Sequence, residues 1–336
     1  MSHRGFDEQM EILDGLKGRA LEAGEIELLR KSLTHKSNFL VAKVARLIEE
    51  NNLTALVPEL LGAYDRFFDR PEKTDAQCWA KNALSRALAH LECRDKEVFL
   101  RGLRHRQMEP TWGGKSDSAA TLRAACAHAL VACDGIGNQE LLILLLDPLV
   151  DPDKSVRVEA ARAIGQVGLL AVPVLRLRAL IPGEEPEVLA ACFASLLAIE
   201  RDGAIPFVTG FLEAGDGAAA EAAFALSEIR SKQALAALLL RYKIVADPWF
   251  GSVLLSAIAL TRLPEAVDFL LTLIRDEASD ATAAIEAIGR TAPAPELRAR
   301  LAEAVEYTGS PRLGEALRKH LPPPPIEHSP TFPARR

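Results

Sequence analysis

The chain has 336 residues, 49% hydrophobic but only 5% aromatic, and carries 40 basic against 46 acidic residues for a net charge of −6. Apolar content dominated by Ala and Leu favours helix over sheet, and the length exceeds what one compact core ordinarily holds, about 250–300 residues. The acidic balance, 23 basic to 25 acidic residues up to Gly165 and 17 to 21 beyond it, disfavours a nucleic-acid coat and leaves only local patches as anion sites.

A first helix is predicted over residues 6–22, closing near Gly24, so that residues 1–24 form an N-terminal cap. Helical hairpins follow over residues 25–321. Their second helices are expected to begin near Asn38, Ala76, Ser118, Lys154, Pro186, Ala218, Trp249 and Ala281, each with small residues where two helices would pack closely. First helices are Leu-rich, as in 140–150, 206–214, 235–241 and 265–275. Pro and Gly separate them at Asp147-Pro148, Asp151-Pro152, Pro182-Gly183 and Asp247-Pro248, because proline lacks the helical donor and glycine suits the left-handed cap. Residues 296–321 make a closing pair, divided near Gly309. The tail, 322–336, opens on four prolines and is expected as a polyproline II stub without a core.

The segment 151–165, DPDKSVRVEAARAIG, recurs in weaker copies every thirty to forty residues. Such units are too small to bury their own apolar face and bury it against neighbours. Residues 122–130 align with 156–164, and 80–88 with both. Within them Asp75 precedes Lys81, Asp117 precedes Arg123 and Asp151 precedes Arg157, each by six positions, whereas Asp247 is followed at that spacing by Val253.

On these residues the chain resembles the HEAT-repeat family, in its bacterial phycobilisome-lyase-like version; the likeness is good over 117–168 and looser elsewhere. The resemblance implies an all-α fold, a right-handed α-α superhelix (HEAT-like solenoid) of about eight helical hairpins. In it the Asp–Arg pairs form a ladder along the inner helices, satisfying turn amides and joining adjacent repeats. It also implies a binding scaffold more often than an enzyme, with DNA glycosylases of alkylated purines and bilin lyases as enzymatic relatives.

One inner-helix position reads Arg46, Arg86, His128 and Arg162 in the first four repeats, then Ala194, Phe224, Ser256 and Glu286. Helices stacked 8–10 Å apart would set the four basic groups in a strip roughly 30 Å long, suited to an acidic peptide; the alternative is a solvated face. The longest interruption, residues 104–116, is read as a loop. Its Trp112 either anchors the loop to its own repeat or, with Lys115, offers a contact at the rim of a binding surface. Trp79 and Trp249, at helix starts, are expected as buried plugs, and Phe67, Phe68 and Tyr64 as core.

Five cysteines without a Cys-x-x-Cys pair are expected as small buried hydrophobes of a reducing, cytoplasmic compartment. No uncharged apolar run approaches the eighteen residues of a membrane span. No two of the seven histidines stand at i+3 or i+4, there is no His-Glu dipeptide, and Gly113-Gly114-Lys115-Ser116 lacks the earlier glycine of a phosphate loop. The expectation is therefore a non-enzymatic scaffold with no cofactor. A protein partner would dock through Arg46, Arg86, His128, Arg162, Trp112 and Lys115, with a HEAT-fold nucleic-acid enzyme or a bilin-lyase-like protein as alternatives.

Overall fold

A computed structural model of the chain describes residues 3–322; the tail expected to adopt polyproline II lies, from residue 323 on, outside the described residues. The chain divides into two compact units, residues 1–199 and 200–336.

The first unit opens with α1 (His3–Asp14), α2 (Ala23–Ser32), α3 (Asn38–Glu50), α4 (Val57–Arg66), the short α5 (Pro71–Thr74), α6 (Trp79–His90) and α7 (Lys96–Leu103). Two strands, β1 (Met108–Thr111) and β2 (Gly114–Asp117), lead to α8 (Ala120–Ala129), α9 (Asn138–Leu149), α10 (Lys154–Gly165), α11 (Val172–Ala179) and α12 (Pro186–Glu200), which crosses the unit boundary. The second unit holds α13 (Ile205–Thr209), α14 (Gly217–Glu228), α15 (Lys232–Tyr242), α16 (Pro248–Thr261), α17 (Pro264–Arg275), α18 (Ala281–Arg290), α19 (Pro295–Thr308) and α20 (Pro311–His320).

Local chemistry starts these helices where the sequence signals them. Ser37 accepts from Leu40 N, Asp153 from Ser155 N, Asp216 from Ala219 N and Asp247 from Phe250 N, satisfying amides that have no partner inside the helix. Proline opens α16, α17, α19 and α20, where its missing donor costs nothing. The second helices then bury a broad apolar face: Leu40, Val41, Val44, Leu47 and Ile48 on α3; Val156, Ala160, Ala161 and Ile164 on α10. Each fully buried aliphatic contributes about 1.5–3 kcal/mol.

Packing follows chain order within each unit. In the first, α3 packs on α6, α6 on α8 and α8 on α10, with α2, α4, α7 and α9 set against α3, α6, α8 and α10 in turn. In the second, α14, α16, α18 and α20 pack successively, each against the helix before it in the chain. Gly165 marks a close approach: a Cβ there would stand 2.5 Å from Ser195 Oγ and 2.7 Å from Ser195 Cβ, so α10 and α12 meet backbone to side chain.

Four expectations need correction. The loop after α7 is an antiparallel hairpin with Met108 opposite Asp117 and Thr111 opposite Gly114; a pair of glycines with positive φ, Gly113 and Gly114, closes it, and Pro110 removes a helical donor. Helix α1 stops at Asp14 rather than reaching residue 22, because Gly15 and Gly18 are poor helix formers. Helix α6 starts at Trp79, three residues after the expected Ala76, since Gln77 and Cys78 both adopt positive φ. Trp79 and Trp249 are 39% and 52% exposed instead of buried. Each precedes its helix's buried face, whose first positions go to Ala80 and Phe250. Tyr64 and Phe67 are core, as expected, while Phe68 is half-buried.

Among the described residues no helix is long and apolar enough to cross a membrane, and no group of His, Cys, Asp and Glu is placed to hold a metal ion.

Candidate functional site

Asp75 and Asp151 at helix starts of the first unit are buried and Asp117 is half-buried, and all three are committed to hydrogen bonds. Asp75 accepts from Ala80 N (2.8 Å), Lys81 N (3.0 Å) and Asn38 Nδ2 (3.1 Å), and pairs with Lys81 Nζ at 3.0 Å. Neither member of that pair has any solvent exposure, so the ammonium is neutralised where an isolated charge would be prohibitive. Arg123 joins the segments that lead into α8 and α10: its Nη1 donates to Asp117 Oδ2 (2.6 Å), and its Nε and Nη2 donate to the two carboxylate oxygens of Asp151 (2.9 and 3.0 Å). Arg157 departs from the expected side-chain pairing. It donates to the carbonyls of Asp151 and Pro152 and reaches forward to Glu184 at 3.1 Å and to Glu185, with Glu184 also paired to Arg178.

Gln107 joins the two halves of this network. Its Oε1 accepts from Lys81 Nζ (3.0 Å), its Nε2 donates to Asp75 O (2.8 Å), and its backbone N donates to Asp117 Oδ1 (3.1 Å). Arg106 adds a second cation to Asp151 at 2.9 Å. Burial raises the Asp117 pKa, but donors from Gln107, Ala119 and Arg123 outweigh it and hold the carboxyl below its ordinary value. For Arg123 burial acts downward and the two aspartates win, raising it. This assembly is bound up in holding helices together.

Cys78, Cys126 and Cys192 are poor nucleophiles. Burial pushes Cys126 and Cys192 up to about 12 and Cys78 to about 11, the opposite of the activation a reactive thiol needs.

The four basic positions read from the sequence lie elsewhere, exposed on the solvent side of α3, α6, α8 and α10. The structure brings them together in two pairs. Arg46 and Arg86 line adjoining clefts of about 280 and 370 Å³. His128 and Arg162 line a groove of about 730 Å³ whose floor includes Ala129, Ala132, Ala194, Ala198 and Gly165 and whose rim adds Arg94. Two glutamates stand between the cations. Glu49 lies 3.7 Å from Arg86, and Glu159 pairs with Arg162 at 2.6 Å and lies 3.5 Å from His128.

Comparison with protein-family models and with curated proteins finds no match to this chain.

At the outer end of the cleft, Trp79 stacks tilted on the exposed Phe39, centroids 5.4 Å apart, and its indole N–H donates to Gln77 Oε1 (3.1 Å). The left-handed backbone at Gln77 and Cys78 fixes this orientation, and Glu109 of the hairpin accepts from Gln77 N (2.7 Å). Trp112 sits at the hairpin tip, fully exposed, so it does not anchor the loop; Lys115 is exposed three residues beyond. Neither is among the residues lining the clefts.

Sequence reasoning missed Gln107, Arg106, Glu184, Arg178, Phe39, Trp79 and the two interleaved glutamates. Only the glutamates carried a usable signal: Glu49 and Glu159 stand three residues from Arg46 and Arg162, the separation at which helical side chains meet.

Proposed function

We propose that each unit is a run of HEAT-like repeats in a right-handed superhelix, and that the first unit is a non-enzymatic scaffold that binds an acidic peptide segment of a protein partner. The superhelical reading is supported by successive second helices packing in chain order and by Asp–Arg bonds that tie one repeat to the next. The binding reading rests on one observation above all: Arg46, Arg86, His128 and Arg162 occupy the same exposed register of four consecutive helices and line clefts rather than flat surface.

The chemistry of the clefts narrows the ligand. Alanines and a glycine lining the groove leave room for small apolar side chains, and Arg94 and Arg162, with His128 as a further hydrogen-bonding group, favour carboxylates. Trp79 with Phe39 offers an aromatic shelf for a larger residue at the far end. A peptide carboxylate must displace Glu49 or Glu159 from its cation, so affinity falls as salt rises and screening weakens the exchange. Charged rim residues of this kind act mainly on association rate and partner choice.

The test uses a fluorescein-labelled peptide of alternating Glu and Ala, with anisotropy as readout at low salt. The wild-type chain binds it, and the double variant R86E/R162E binds about 10-fold or more weakly, a loss of roughly 1.4 kcal/mol. Both side chains are exposed, so the melting temperature does not fall. Equal binding by the two proteins, or none by the wild type, refutes the reading.

A further inference from the structure

Helix α9 is apolar nearly all round: between Leu141 and Val150 the only charge is Asp147. Such a composition belongs to a helix covered on every side, yet α9 is an outer helix, set against α10. Ile143, Leu146 and Val150 line its outward face at intervals of three and four residues, and each is 40–65% exposed. The stripe continues in space through the turn at residues 169–171, which packs on α9. Leu169 there, and Leu177 and Leu180 on and just after α11, are 61–75% exposed. With Leu170 and Ile181, eight large aliphatics lie bare along two neighbouring outer elements.

The other outer helices of this unit are different. Helix α2 carries Glu25, Glu27, Arg30 and Lys31; α4 carries Glu59, Asp65 and Arg66; α7 ends in Arg101 and Arg104. Beside the stripe, Arg178 on α11 is turned to Glu184 and only 12% exposed, Arg176 is half-buried, and Asp147 is the one exposed charge of α9 between Leu141 and Val150. The stripe thus offers little charge for a partner to match.

Its size sets what covers it. Taking roughly 170 Å² for a fully exposed aliphatic residue, the eight leave about 800 Å² bare, which is the area each protein contributes to a standard-size interface. It also exceeds the roughly 300–600 Å² of the largest patch on a typical monomer. A mainly apolar face makes few directional demands on what covers it, and a two-fold axis through it would lay the same surface of two chains together. Interfaces between identical chains are the more apolar class. We infer that the stripe formed by α9 and α11 is a self-association surface, covered by a second copy of this chain. The inference is independent of the peptide-binding reading, whose residues lie on the second helices.

Sedimentation velocity and light scattering on the full chain test it at about 100 μM, well above the micromolar limit for interfaces of this size. The expected mass is twice the chain's 36.4 kDa. The variant L146E/L177E runs as a monomer with an unchanged helical circular dichroism spectrum, because both side chains are already exposed. The control L240E, at a 67% exposed leucine of the second unit, remains a dimer. A monomeric wild type, or a dimer that survives L146E/L177E, overturns the inference. So does a monomer that co-sediments with phosphatidylcholine–phosphatidylglycerol vesicles, which would assign the stripe to lipid.

Discussion

Replacing Asp151 with alanine probes whether buried charge holds the first unit together. The substitution removes both carboxylate bonds to Arg123 and the contact to Arg106. It also removes the acceptor for Asp153 N. Deleting one partner of a buried pair costs about 3–5 kcal/mol, since the surviving charge stays behind desolvated. Arg123 keeps Asp117 at 2.6 Å and the carbonyl of His105 at 3.1 Å, which places the loss at the lower end, about 3 kcal/mol. At 1.4 kcal/mol per decade, opening of α8 and α10 becomes roughly 100-fold more frequent. Hydrogen exchange reads this directly: amide protection in α8 and α10 falls by that factor, while α16 and α18 are unchanged. The double variant Asp151→Ala with Arg123→Met should cost less than the sum of the two single changes by at least about 1.5 kcal/mol. A loss below about 1 kcal/mol for Asp151→Ala, or strict additivity, would refute the view that Arg123 clamps the segments leading into α8 and α10.

Gly165→Ala forces a methyl against Ser195 and should cost about 1–3 kcal/mol in urea unfolding, as overpacking does; Ser195→Gly in the same chain should restore most of it, and failure to rescue would place the strain elsewhere. His105 provides a pH test. Burial is the main influence lowering its pKa, and Lys81 and Arg123 add to it against the bond with Gln107. The fold therefore favours the neutral ring, and its contribution is complete above about pH 6.5 and lost as pH falls through the lowered value. Unfolding curves should show the wild type weaker at about pH 5.5 than at pH 7.5, with the difference reduced in His105→Gln; an equal pH effect in both would clear His105 of the role.

Much of the helical framework was legible because its signals are local. Second helices begin within three residues of every predicted start, since proline, aspartate caps and apolar periodicity act over a single turn. The closing pair divides at Gly309 as expected. The hairpin escaped because its strands are four residues long and carry no alternating apolar pattern; its glycine pair was visible but was read only against a phosphate loop. The network around Gln107 escaped for a different reason. Residues 38, 75, 81, 107 and 117 meet only after four helices and a hairpin have packed, and nothing within a helical turn of Gln107 marks it. Exposure of the tryptophans was likewise a tertiary outcome, decided by which neighbour took the first inward position of each helix.

Among the described residues, the buried charged ones, Asp75, Lys81, Arg123, Asp151 and Arg157, all fall in the first unit, while the buried polar ones beyond residue 200 are the hydroxyls of Ser227, Thr261 and Thr291. The two units therefore differ in how much buried charge supplements their apolar cores. Chilling weakens cohesion that comes from shedding water off hydrocarbon, and that core runs through both units. Asp117 of the first unit holds its carboxyl below the ordinary value through donors from Gln107, Ala119 and Arg123, so what those bonds contribute is lost as pH falls through that lowered value.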